Sequence, residues 1–143
     1  MRAQRVPVTE RTLVRRSYDC FNRRDPEGAF PLYTEDCRWS FRHFSGWPDE
    51  QEYRGHAGLV RLFGDFLSAW GEFAIHPTGL WDLGDDRWLI RCHMEATGVS
   101  SGVPLEADFW QLAKVRDRRI HTVDNYTDDD EVLADAGAAA HDL

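Results

Sequence analysis

Three side chains in the stretch RWLIRCHME, positions 87–95, are of the types that acid–base chemistry needs. They are the guanidinium of Arg91, the imidazole of His93 and the carboxylate of Glu95. Their spacing of two puts them on one face of an extended strand, with Trp88, Ile90, Cys92 and Met94 on the other. An imidazole titrates near neutral pH, so beside a carboxylate it can take a proton and return it. A second carboxylate, Asp108 in EADFWQL, alternates with Trp110 and Leu112 and points the same way as those two large apolar groups. Burial among such groups raises a carboxyl pKa and makes a general acid poised toward neutrality. The plainer reading of Asp108 is a strand aspartate paired with an arginine. The plainer reading of the Arg91–His93–Glu95 face is contact with water, with Trp88, Ile90, Cys92 and Met94 in the core, and periodicity taken alone favours it.

Other chemistries are less well served. His93 and Glu95 with His121 would supply two imidazoles and a carboxylate, but His-x-Glu pairs arise easily by chance and no metal or other cofactor is expected. The run Asp128-Asp129-Asp130-Glu131 lacks the alternating ligands and glycine of a calcium loop and reads as a helix N-terminus. There is no Ser-His-Asp or Cys-His signature, phosphate-cradling glycine loop or dinucleotide fingerprint. His56 reads as a turn or capping residue, His76 precedes Pro77, and His141 lies in the tail; His43 continues the Trp39–Phe41 face. Trp39, Phe41, Trp70, Trp81 and Trp110 are candidate walls for a flat, polycyclic or polyene-like ligand. Asn125, between Val123 and Thr127, would be a buried amide that needs a partner. Tyr18 is either a donor to a ligand carbonyl or a satisfied core tyrosine.

Elements must position these groups. A first helix is expected from about Thr9, with Glu10 in its first turn and Leu13, Val14, Tyr18 and Phe21 on one side. Asp25-Pro26 starts a short second helix that Pro31 limits to a turn or two. The alternation over 37–44 predicts a strand. The stripe Leu59, Leu62, Phe63, Phe66, Leu67 and Trp70 predicts a third helix over 56–70, stopped by Gly71. Four strands then succeed it over 72–83, 87–97, 103–115 and 119–127, separated by turn residues at 84–86, 100–102 and 116–118. A last short helix ends near Gly137. Helices followed by an antiparallel meander mean an α+β fold, with helices packed on one side of a curved sheet that encloses a cone.

The bulk numbers fit one domain. The 143 residues are 42% hydrophobic and include six tryptophans, enough for a core and a cavity. A net charge of −8 with no basic stripe excludes nucleic acid as a partner. MRAQRVPVTERT has no apolar signal region, and no apolar run reaches the length of a membrane span. Cys20, Cys37 and Cys92 are isolated and odd in number, as reduced core thiols are. The expectation is a cytoplasmic protein of one domain over 1–143, its core at about 9–137 and the ends at 1–8 and 138–143 flexible.

The order of elements, with YDCFNRRDPEGAF, YRGHAGLVRLFGDFLSAW, LWDLGDDRWLI and VRDRRIHTVDNYTDDDEVLADAG, resembles the SnoaL-like branch of the nuclear transport factor two-like superfamily. That superfamily also holds ketosteroid isomerase and scytalone dehydratase. The resemblance runs from the first helix to Gly137 and implies a cystatin-like cone. At the position of the isomerase's aspartate base this chain has Phe41, and at that of its cavity tyrosine Ser17, so steroid isomerisation is not implied. Asp108 aligns with the aspartate that donates to the oxyanion. Asp108 and His93 resemble the acid–base aspartate and assisting histidine of the cyclases. The resemblance also turns the Arg91–His93–Glu95 face into the cone, and leaves the Trp88 face for a homodimer contact on the outer sheet surface.

Two functions are expected from these residues. In the first, a cofactor-free enzyme cyclises, isomerises or dehydrates a hydrophobic, polyketide-like carbonyl substrate. Asp108 and His93 would do the chemistry, Arg91 and Glu95 would tune them, and Tyr18, Trp39, Phe41, Trp70, Trp110 and Asn125 would hold the substrate. In the second, the same pocket serves a non-catalytic ligand-binding or accessory protein.

Overall fold

The computed structural model describes residues 4–5, 8–47 and 51–138. The expected capping by Thr9 and Glu10, and the tail that carries His141, lie outside the described side chains. A short strand β1 (Gln4–Arg5) precedes helix α1 (Val8–Asn22), which buries Val14, Tyr18 and Phe21. Asp25 caps α2 (Pro26–Ala29), its carboxylate accepting from the Gly28 N–H at 3.0 Å. Pro26 sits in the first turn, where an absent N–H is not missed. Pro31 lies in a single 3-10 turn, Phe30–Leu32, and strand β2 (Tyr33–His43) starts earlier than the alternation over 37–44 indicates.

Strand β3 (Glu52–Arg54) leads into α3 (Gly55–Ala69), whose Leu59, Leu62, Phe63 and Phe66 are buried. The end of α3 differs from expectation. Trp70 leaves helical space with φ −126° and ψ 125°, and Gly71 already belongs to β4 (Trp70–Gly84). Trp70 pairs with Gly98 while its own N–H still closes on Phe66 O, so the helix passes into the sheet without a left-handed glycine cap. The meander continues with β5 (Arg87–Gly98), β6 (Pro104–Arg116) and β7 (Arg119–Tyr126), then α4 (Asp129–Ala136). Two-residue turns with both central residues left-handed join β4 to β5 (Asp85, φ 56°; Asp86, φ 58°) and β6 to β7 (Asp117, φ 53°; Arg118, φ 63°). That geometry matches the right-handed twist of the strands it connects.

The seven strands lie in the order β1-β4-β5-β6-β7-β2-β3, with β2 and β7 parallel and every other pair antiparallel. The sheet is curved and unclosed, and the fold is α+β, as the element order predicts. Helices α1 and α3 fill its concave side, packing on Trp39, Phe41, Trp88, Ile90, Cys92 and Met94. Helix α4 covers part of the convex side through a second cluster that contains Leu83, Leu89, Trp110, Tyr126 and Val132. No described helix is long and apolar enough to cross a membrane.

Candidate functional site

Strand parity decides which side chains meet inside the cone. On β5 the inward residues are Trp88, Ile90, Cys92, Met94 and Ala96. On β6 they are Leu105, Ala107, Phe109, Gln111 and Ala113, each opposite one of that set. Of these, the small Ala107 and the unbranched Met94 border the space left below α3. The result is a cavity of about 280 Å³ walled by Phe21, Trp39, Phe41, Trp47, Phe66 and Trp70, with Met94 and Phe109 on the sheet side. Aromatic rings pack edge to face and stacked along this wall; Phe41 lies 4.2 Å from Trp47, and Phe21 4.8 Å from Phe66.

Apart from Asp108 on its border, the polar equipment of the cavity is small and neutral. Gln111 and Asn125 line it and are bonded to each other, Nε2 to Oδ1, at 2.9 Å. Asn125 Nδ2 donates to Ser40 O at 3.0 Å, and Gln111 Oε1 accepts from the Tyr18 hydroxyl. Tyr18 also lies 3.1 Å from Cys92 Sγ. Burial holds the Tyr18 phenol well above its ordinary pKa and pushes the Cys92 thiol up to about 12, so both stay protonated. The indole N–H groups of Trp47 and Trp70 are buried with no hydrogen-bond partner.

The convex face holds the acid–base candidates. The expectation that Arg91, His93 and Glu95 line the cavity is therefore corrected. Trp88, Ile90, Cys92 and Met94 are the residues the helices cover, so their neighbours on β5 must point outward. A one-residue difference in alignment to relatives is enough to invert a strand's faces. His93 and Asp108 are direct cross-strand partners, with Nδ1 and Oδ1 2.8 Å apart, but on the outside, where the Asp108 side chain is 55% exposed. The hydrogen bond that His93 donates to the Asp108 carboxylate raises the His93 pKa above its ordinary value, and nearby Glu106 and Glu95 add to the effect. The apolar surroundings expected for Asp108 are absent: Trp110 and Leu112 belong to the cluster under α4, and the Asp108 carboxylate itself is more than half exposed. Asp108 still borders the cavity from β6.

Trp110 is likewise not a cavity wall. It is buried against α4, donates from Nε1 to Asp129 at 2.6 Å, and carries Arg91 over its ring at 4.5 Å. Trp81 lies beside it on the same side. Arg91 reaches Asp129 at 3.4 Å and Asp108 at 4.0 Å, which ties α4 to the sheet. His121 sits apart from His93, 2.9 Å from Thr34 Oγ1 and 3.7 Å from Asp36. Ligand atoms of His93, Glu95 and Glu106 do come within 4.8 Å of one another, as do those of His43, Glu131 and Asp135; in both groups the carboxylates are exposed.

Among the sequence candidates, Trp39, Phe41, Trp70 and Asn125 therefore surround the cavity, and Tyr18 reaches it through Gln111. Arg91, Glu95 and Trp110 stand on the far side of the sheet. Gln111, Trp47 and Phe109 were missed. Gln111 alternates with Phe109 and Ala113, and that parity was the available signal; Trp47 sits in a loop with no periodicity to read.

This arrangement and the sequence agree on a family. The chain matches the SnoaL-like domain model over residues 14–135, and it belongs to that family. A protein of nuclear transport factor two-like fold from Burkholderia pseudomallei superposes with a TM-score of 0.74 at 20% identity, over 90% of this chain and 97% of that one. TerC, co-crystallised with polyporic acid, gives 0.74 at 20% identity over 91% and 99% of the two chains. A putative polyketide cyclase from Xanthomonas campestris gives 0.65 at 16% identity over 90% and 96%. At these low identities the superpositions establish a shared fold and nothing finer. Among curated proteins, none matches the sequence.

Proposed function

We propose that the chain binds a flat, hydrophobic, carbonyl-bearing small molecule, polyketide-like in shape, in the cavity below α3, and acts by holding it. The observation that carries this reading is the cavity's lining. It is aromatic, and its polar side chains are neutral apart from Asp108, whose carboxylate is bonded to His93 on the convex face. Such a site binds by shape and burial of apolar surface, and the one carboxylate among its lining residues is already engaged by His93. The likeness in fold to TerC makes polyporic acid a rational first probe. The unmodified protein is expected to bind it in a calorimetric titration. Ala107→Phe, which fills the cavity from β6, should weaken binding by at least about tenfold. Undiminished binding to that variant would remove the cavity from consideration.

A second reading keeps cofactor-free cyclisation, isomerisation or dehydration by Asp108 and His93. Two observations favour it: the 2.8 Å bond between the pair and the place of Asp108 on the cavity border. If it holds, Asp108→Asn and His93→Ala lose turnover of a carbonyl substrate while still binding it. Full activity in both ends that reading. A homodimer through the outer sheet face would have to cover the polar row Arg91, His93 and Glu95 rather than the Trp88 face, which is core. Light scattering across a dilution series reports whether such a dimer forms.

A further inference from the structure

The Ser40 group at the end of the buried polar chain is a backbone carbonyl, and a carbonyl cannot donate. The Asn125 atom 3.0 Å from it must be the amide nitrogen, which turns Asn125 Oδ1 toward Gln111 at 2.9 Å. Gln111 can meet that oxygen only with Nε2, so its own Oε1 faces Tyr18 and the phenol has to donate. The phenol's single hydrogen is then committed, and its oxygen is left to accept from Cys92 Sγ at 3.1 Å. One backbone group thus sets the direction of the whole chain, and both amide orientations follow from it rather than from any choice between oxygen and nitrogen.

Each amide nitrogen in this chain carries two hydrogens and uses one. Gln111 and Asn125 are 3% and 1% exposed, both line the cavity, and no second acceptor for either nitrogen occurs among the described residues. A buried N–H without a partner costs more than a carbonyl with one lone pair vacant. The cavity is therefore short of acceptors. We propose that the two spare N–H groups are its recognition element, and that they bind the carbonyl oxygen of a neutral aryl ketone or quinone whose rings rest on the aromatic wall. Tyr18 is a positioning residue: by donating to Gln111 Oε1 it keeps that amide from presenting its oxygen to the ligand. This inference rests on the cavity being the ligand site and goes further, naming the residues that read the ligand's carbonyl and the donor atoms they present to it.

The test compares 9-fluorenone with fluorene, which share a carbon skeleton and differ in the carbonyl. Both are titrated calorimetrically into the full chain. Fluorenone is expected to bind roughly fivefold to tenfold more tightly, the worth of a net hydrogen bond of this kind. Gln111→Met and Asn125→Leu should each lower the affinity ratio, the double variant should bring it to one or below, and Tyr18→Phe should lower it part of the way. Near-UV circular dichroism establishes which variants keep the fold, and the wild-type ratio decides even if none does. Equal binding of the two probes to the wild type overturns the donor assignment and leaves the cavity reading standing. Binding of neither overturns the cavity reading, and this inference with it.

Discussion

His93 and Asp108 are the residues whose types first suggested chemistry, and their bond is real but external. Its measurable consequence is electrostatic. A folded-state pKa raised above the ordinary imidazole value of 6.5 means the native state holds the proton more tightly than the unfolded chain does. The stabilisation is then complete below the unfolded value and is lost as pH rises through the raised folded value. Removing the first cause tests this. In Asp108→Asn, the His93 pKa followed by NMR should fall toward its ordinary value, and the fall of wild-type stability with rising pH through this range should flatten. An unmoved His93 titration would show that the hydrogen bond does not set its protonation. On the concave side Tyr18→Phe leaves Gln111 Oε1 without its donor, and about 1–2 kcal/mol of stability should be lost in denaturant unfolding.

Helix α4 depends on few contacts at the scale of an element. Asp128 caps it, the carboxylate accepting from the Glu131 N–H at 2.8 Å, and Gly137 ends it at φ 70°. Three acids in its first turn favour the N-terminal end of the helix dipole. The sheet holds it through the group of Trp110, Arg91 and Asp129, through Tyr126 donating to Asp135 at 2.7 Å, and through the packing of Val132 and Ala136. Asp128→Ala should cost about 1 kcal/mol. Trp110→Phe, which keeps the ring but loses the donor to Asp129, should raise amide exchange over 129–136 more than elsewhere. Uniform exchange in that variant would mean the indole's bond to Asp129 does not hold the helix. The same cluster occupies the apolar residues of the convex face, which takes away the hydrophobic reason to expect a partner there.

At the scale of the molecule, most of the fold was legible in the sequence. The helix stripe over 56–70, the four later strands and the Asp-rich hairpin turns follow from local pattern, because amphipathic period and turn chemistry are local properties. The faces of β5 were legible too: alternation placed Trp88, Ile90, Cys92 and Met94 in the core, and the helices do cover them. Resemblance to distant relatives pointed the other way, and a register offset of one residue is all that such an inversion needs. No local pattern determined the meeting of Gln111 with Asn125. It depends on a bulge where Lys114 pairs with Thr122 and Val115 with Ile120, leaving His121 as the extra residue. That single residue rephases β7, so that Val123 and Asn125 face inward beside Ala113 and Gln111. The cavity likewise required α3 to span the sheet above Met94 and Phe109. Sequence alone determined the elements and their two-sidedness, since those depend on neighbours along the chain. The pairing register and the space between layers depend on neighbours across it, and only the folded structure decided them.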